Sequence, residues 1–118
     1  MTLRIRSLLE QVPDRLDQER FETWLETSAL RIERILSRGH ATPAGEWYDQ
    51  PRDEWVALLQ GAARLAIEGQ PEELDLAPGD AVLLPAHCRH RVSWTDPDQV
   101  SIWLALHFAS DGTPQPGP

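Results

Sequence analysis

An all-β fold, an antiparallel barrel or sandwich of seven or eight short strands, is what this sequence predicts. Two observations carry that expectation. Ten prolines and seven glycines cut the 118 residues into short segments, which favours strands over long helices. Within those segments apolar and polar residues alternate, as on pleated strands with one buried face.

The elements follow in order. Residues 3–12 fit a short helix that Pro13 ends, because proline lacks a backbone N–H and clashes with the preceding turn. Residues 16–20 are highly charged and read as a connector. Residues 21–25 alternate as a strand. Residues 30–36 do so more clearly, with Leu30, Ile32 and Leu36 on one face and charges on the other. A loop with Pro43 and Gly45 leads to the short aromatic segment 47–50, which Pro51 breaks from the next strand. Residues 54–60 and 62–68 read as successive strands around Gly61, a hairpin signal. A turn at 69–72 precedes a strand at 74–76. The Pro78-Gly79-Asp80 turn then uses the positive φ open to glycine. Residues 81–84 form an apolar, buried strand stopped by Pro85. Strands at 89–94 and 100–108 flank a turn at 95–98. The expected organisation is an N-terminal arm (1–27, helix and edge strand), a barrel (28–108) and a frayed tail (109–118) rich in Gly and Pro.

Composition narrows the function classes. The length suits one domain with a single core. A net charge of −8, from 19 acidic and 11 basic residues, with no basic stripe beyond residues 89–91, argues against nucleic acid and anionic membranes as partners. No apolar run has transmembrane length, and residues 1–6 lack the pattern of a signal peptide. A single cysteine fits a reducing compartment, so the expectation is a soluble cytoplasmic protein.

Two strand-plus-turn segments carry the chemistry: Glu54 to Gly61, and Gly79 to His90, which contains Pro85-Ala-His87-Cys88-Arg-His90. They resemble the two motifs of the cupin family. The first family motif runs Gly, five residues, His-x-His, three or four residues, Glu, six residues, Gly; Glu54 and Gly61 match its second half. The second runs Gly, five residues, Pro-x-Gly, two residues, His, three residues, Asn; Gly79, Pro85 and His90 match it. His87 stands in place of the internal glycine and Trp94 in place of the asparagine. The resemblance covers residues 28–108 and implies a jelly-roll barrel with a cavity metal.

It departs at the His-x-His pair. The shorter spacing puts Tyr48 and Gln50 there, the longer one Trp47 and Asp49. Strand parity favours Tyr48, Gln50 and Glu54 on one face, whereas a bulge would turn Asp49 inward instead. The expected metal ligands are therefore Gln50, Glu54 and His90, with Tyr48, Asp49, Trp94 and His107 lining the pocket. Trp94 shares the parity of His90, and His107 lies on the last strand. A low-pKa thiol at Cys88 is the reactive alternative to a small buried hydrophobe. Without metal, Glu54 and His90 can instead form a buried hydrogen-bonded pair completed by Tyr48 and Gln50.

The resemblance implies a divalent ion (iron, manganese, nickel or zinc), a small-metabolite ligand and a homodimer joined through its N-terminal segment. Three functions stay open: a metal-dependent enzyme, a binding module without turnover, and a structural dimer.

Overall fold

The structure, a computed structural model, describes residues 1–109. The strands are β1 (Arg20–Glu26), β2 (Leu30–Ser37), β3 (Asp53–Gln60), β4 (Ala63–Ile67), β5 (Leu74–Leu76), β6 (Ala81–Leu84), β7 (His90–Thr95) and β8 (Ser101–Phe108). They form two antiparallel sheets, one ordered β1-β2-β8-β3-β6 and the other β5-β4-β7. The all-β expectation holds.

The expected N-terminal helix does not form. Residues 7–10 make only a turn, closed by Glu10 N–H to the Ser7 carbonyl at 3.1 Å. A ten-residue helix is marginal in water unless packing holds it. Here the Leu8 and Glu10 carbonyls accept hydrogen bonds from the buried Arg34 guanidinium at 3.0 and 2.6 Å instead. The expected tail falls almost wholly outside the described residues.

Gly61 does not make a hairpin. β3 pairs with β6 and β8, while β4 pairs with β5 and β7, so the chain crosses from one sheet to the other at this glycine. Its φ of +93° and its approach to Ser101, where an added Cβ would sit 2.6 Å from the Ser101 Cα, leave no room for a side chain. Gly79 has positive φ, as expected.

The main core lies between the sheets, where Val56, Leu58, Leu65, Leu84, Trp103 and Ala105 pack together. Each fully buried aliphatic side chain there contributes about 1.5–3 kcal/mol. A second cluster, Leu36, Val100 and Ile102, is covered by Val12 and Leu16 of the arm. The large sheet therefore has cover on both faces. β6 is an edge strand in which only Leu84 is buried, rather than the buried strand its apolar run suggested. Of the five tryptophans, Trp103 alone is buried. Trp24, Trp47 and Trp94 lie outside the core with arginine guanidinium groups over their rings.

Candidate functional site

Register places the site. Arg31 on β2 lies opposite His107 on β8, His107 opposite Glu54 on β3, and Glu54 opposite Leu84 on β6. Cross-strand partners share a face, so these four side chains form one row pointing between the sheets. Glu33-Ala105-Val56 makes the next row and Ile35-Trp103-Leu58 the one after. From the other sheet come Leu65, Val92 and His90. The result is a cavity of about 180 Å³, apolar at its floor and polar at its mouth, where Tyr48 and Gln50 also line it.

Tyr48 reaches the cavity through an isolated bridge to His90, with backbone bonds of 2.7 and 3.2 Å and their rings stacked 5.6 Å apart. The neighbouring loop is fixed by the buried Asp53, whose carboxylate accepts the Ala86 N–H at 2.7 Å. His87 takes a φ of +61°, the left-handed conformation that explains a glycine at this place in the family motif.

Glu54 and His90 come together as the sequence indicates. Both are buried, and His90 Nε2 lies 3.5 Å from Glu54 Oε1. His90 Nδ1 is 2.8 Å from the Cys88 carbonyl. A carbonyl only accepts, so Nδ1 carries a proton, and Nε2 faces the carboxylate, bare when the ring is neutral and protonated when it is charged. Among the described residues Glu54 Oε1 has no hydrogen-bond partner. Burial pushes the His90 pKa down, but the Glu54 carboxylate and the Cys88 carbonyl outweigh it and leave the pKa raised. His107 adds a second imidazole, with Nε2 3.4 Å from Glu33 and 4.0 Å from Glu54.

Two expected lining residues lie elsewhere. Asp49 is outside the cavity, held by the exposed His87 at 2.7 Å, so no bulge turns it inward. Trp94 is also outside, beneath Arg64 on the outer side. The β4–β7 register shifts between Arg64 and Leu65, so Trp94 pairs with Arg64 but Val92 with Leu65. That irregularity breaks the parity linking Trp94 to His90. Gln50, Tyr48 and His107 do line the cavity. Burial pushes the Cys88 thiol up, which disfavours a reactive thiolate. Arg31, Glu33, Glu19 and Trp103 line the cavity without having been singled out. The alternation of β2 held the signal for Arg31 and Glu33, since both sit on its charged face.

Arg31 Nε, Glu54 Oε1, Trp103 Nε1 and His107 Nδ1 are the buried side-chain polar atoms that lack a hydrogen-bond partner among the described residues, and all belong to cavity-lining residues. Buried polar groups are normally satisfied, so these four atoms are left to whatever fills the cavity, water or a ligand.

A cupin-domain family model matches residues 38–107. The chain belongs to the cupin family. Over 63 residues it is 38% identical to 3-hydroxyanthranilate 3,4-dioxygenase of Paraburkholderia phytofirmans, an alignment covering 52% of this chain and 35% of that one. A protein of Ralstonia eutropha JMP134, provisionally named a mannose-6-phosphate isomerase, is 44% identical over 92% of this chain and 100% of that one, with a TM-score of 0.88. An RmlC-like cupin of Methanocaldococcus jannaschii with a double-stranded β-helix fold has a TM-score of 0.69 at 15% identity, covering 92% and 93% of the two chains, and shows the fold alone.

This family commonly implies a metal. Donors bound to one divalent ion at bond lengths near 2.1 Å lie roughly 3–3.5 Å apart. The His90–Glu54 separation of 3.5 Å fits that spacing, and the imidazole and carboxylate donors are of the right kind. His90 also shows the backbone-carbonyl contact that orients metal-binding imidazoles. Among the described residues, however, no three His, Cys, Asp or Glu side chains are grouped to hold a metal. The donors fit as pairs.

Proposed function

We propose that the barrel cavity is a divalent-metal site with few protein donors, standing at the mouth of a small-metabolite pocket. His90 and Glu54 would hold the ion, with His107 nearby at 4.0 Å from Glu54 and facing Glu33. Gln50, on the same wall, is a weaker neutral donor. The observation that carries this reading is the buried Glu54 Oε1, which has no hydrogen-bond partner among the described residues and faces Nε2 of His90, whose Nδ1 is turned to the Cys88 carbonyl. Two groups of acceptor character facing each other need a cation or a proton between them. When bound, such an ion supplies Lewis acidity and open positions for substrate. The chain's own residues do the rest. The Cys88 carbonyl fixes the His90 tautomer, Glu33 and Glu54 hold His107 between two carboxylates, and the apolar floor excludes water from behind the ligand.

The relatives carry the names of a dioxygenase and an isomerase, which supports a metal-assisted small-molecule role and selects no reaction. The chain spans about a third of the length of that dioxygenase.

Elemental analysis of protein purified without chelator or affinity metal is the deciding experiment. The expected result is one divalent ion per chain, lost in Glu54→Gln and His90→Ala. A second reading is favoured by the lack of a three-donor group: a metal-free cavity in which protonated His90 pairs with Glu54. Protein without metal, in which a proton on His90 is lost in a single titration, would leave this second reading standing.

A further inference from the structure

We propose that Arg31, with Arg52 beside it, docks the anionic group of a small ligand, a carboxylate or a phosphate, while the ligand's apolar body fills the cavity. This deepens the reading above and rests on the cavity being a small-molecule site, though not on its holding a metal.

The chain carries a net charge of −8 and has no lysine, so its 11 basic residues are all arginines. Most of them have partners. Arg6, Arg20, Arg34, Arg64 and Arg89 form ion pairs, and Arg38 is held by the Asp14, Pro97 and Asp98 carbonyls. Among the described residues no ion pair includes Arg31 or Arg52, and Arg31 Nε is buried with no hydrogen-bond partner. Both arginines line one outer groove of about 360 Å³. That groove shares Arg31, Gln50 and His107 with the inner cavity, so the Arg31 guanidinium stands where the two meet.

The arrangement selects a ligand class. Pairing opposite His107 holds Arg31 on the inner face of β2, in the row that carries Glu54. Of the nearby carboxylates, Glu33 faces His107, Glu54 faces His90 and His107, and Glu26, opposite Arg31 on β1 and lining the same groove, forms no ion pair with it among the described residues. A half-buried cation with no carboxylate at ion-pair distance is costly, and a ligand oxyanion would remove that cost. The guanidinium is a planar fork that matches carboxylate and phosphate oxygens two at a time. Beyond it, Ile35, Val56, Leu65, Val92 and Trp103 give an apolar lining of about 180 Å³, room for a small ring and little more.

Isothermal titration of the full chain, as purified and again after chelation, tests this with benzoate, phenyl phosphate and neutral benzamide. At least one anion should bind about tenfold or more tightly than benzamide, the worth of a charge-assisted hydrogen bond. That advantage should vanish in Arg31→Gln and return in part in Arg31→Lys, with benzamide affinity unchanged in both variants. The preferred anion then identifies the ligand group. Equal binding of all three probes by the parent protein overturns the proposal. So does an anion advantage that survives Arg31→Gln, or one that disappears on chelation, which would place the oxyanion on the metal. A metal-free protein that still prefers the anion would sink the metal reading and leave this one intact.

Discussion

Arg31 and Arg34 sit three positions apart on β2 and point to opposite faces of the same sheet. Arg34 is 1% exposed and fully engaged: Glu22 accepts from its Nε at 2.6 Å, and the Leu8 and Glu10 carbonyls take its Nη1. Its guanidinium also lies 5.3 Å from the Trp24 ring, over which Arg6 stacks at 3.7 Å. It ties the arm to the sheet. Arg31 is less buried and has a buried Nε with no hydrogen-bond partner among the described residues. One strand thus carries a satisfied arginine on its structural face and an unsatisfied one on its cavity face. The difference teaches that burial of a charge does not by itself separate the two, whereas the lack of protein partners leaves Arg31 open to a ligand.

The two faces should respond differently to substitution. The largest effect is expected for Arg34→Ala, which strands two carbonyls and a carboxylate and should cost about 3 kcal/mol in urea denaturation. An unchanged midpoint would mean that the arm is not anchored there.

The next effects appear with pH, and the faces should move in opposite directions. The hydrogen bond from Arg34 holds Glu22 below its usual 4.5, against a smaller opposing push from burial. A carboxylate depressed in the folded state gives stability that is present above 4.5 and lost as pH falls through the folded value. Glu22→Gln should therefore flatten the acid limb of the stability profile.

His90 has the opposite sign. Its pKa is raised above 6.5 in the folded chain, so its contribution is complete below 6.5 and lost as pH rises through the folded value. In chelated protein, Glu54→Gln should flatten that alkaline slope, read from melting temperatures across the pH range. The smallest effect belongs to Arg31→Gln. Without ligand it should change stability by less than about 0.5 kcal/mol, because it removes no ion pair. A loss comparable to that of Arg34→Ala would make Arg31 structural and erase the contrast between the faces.

Strands were legible because the alternation of residues 30–36 and 100–108 is a local property of a pleated chain. Connections were less so. Gly61 announces a sharp turn in the sequence, but a positive φ serves a hairpin and a crossing between sheets equally well, and only Ser101, pressed against it from β8, decides between them. Glu54 and His90 could be read because each closes a motif of defined spacing. Trp94 could not be placed, since one irregularity in β7 reverses parity and leaves no mark in the residue types. Arg31 and Glu33 escaped notice because Ile32 and Leu36 suggest that the apolar face of β2 points inward. That assumes one covered face, whereas the arm supplies a second through Val12 and Leu16.

The order of the large sheet also bears on how the pocket comes into being. β8 is the last of the described strands, yet it lies between β2 and β3. The row Arg31-His107-Glu54 spans those three strands. Closing it means bringing together segments more than 70 positions apart, such as Glu33 and His107. Loop closure of that length must precede any reward from the contacts, so such pairings form slowly. Glu54 and His90 precede β8 in the chain, but the pocket is complete only once β8, which carries His107, has paired with both β2 and β3.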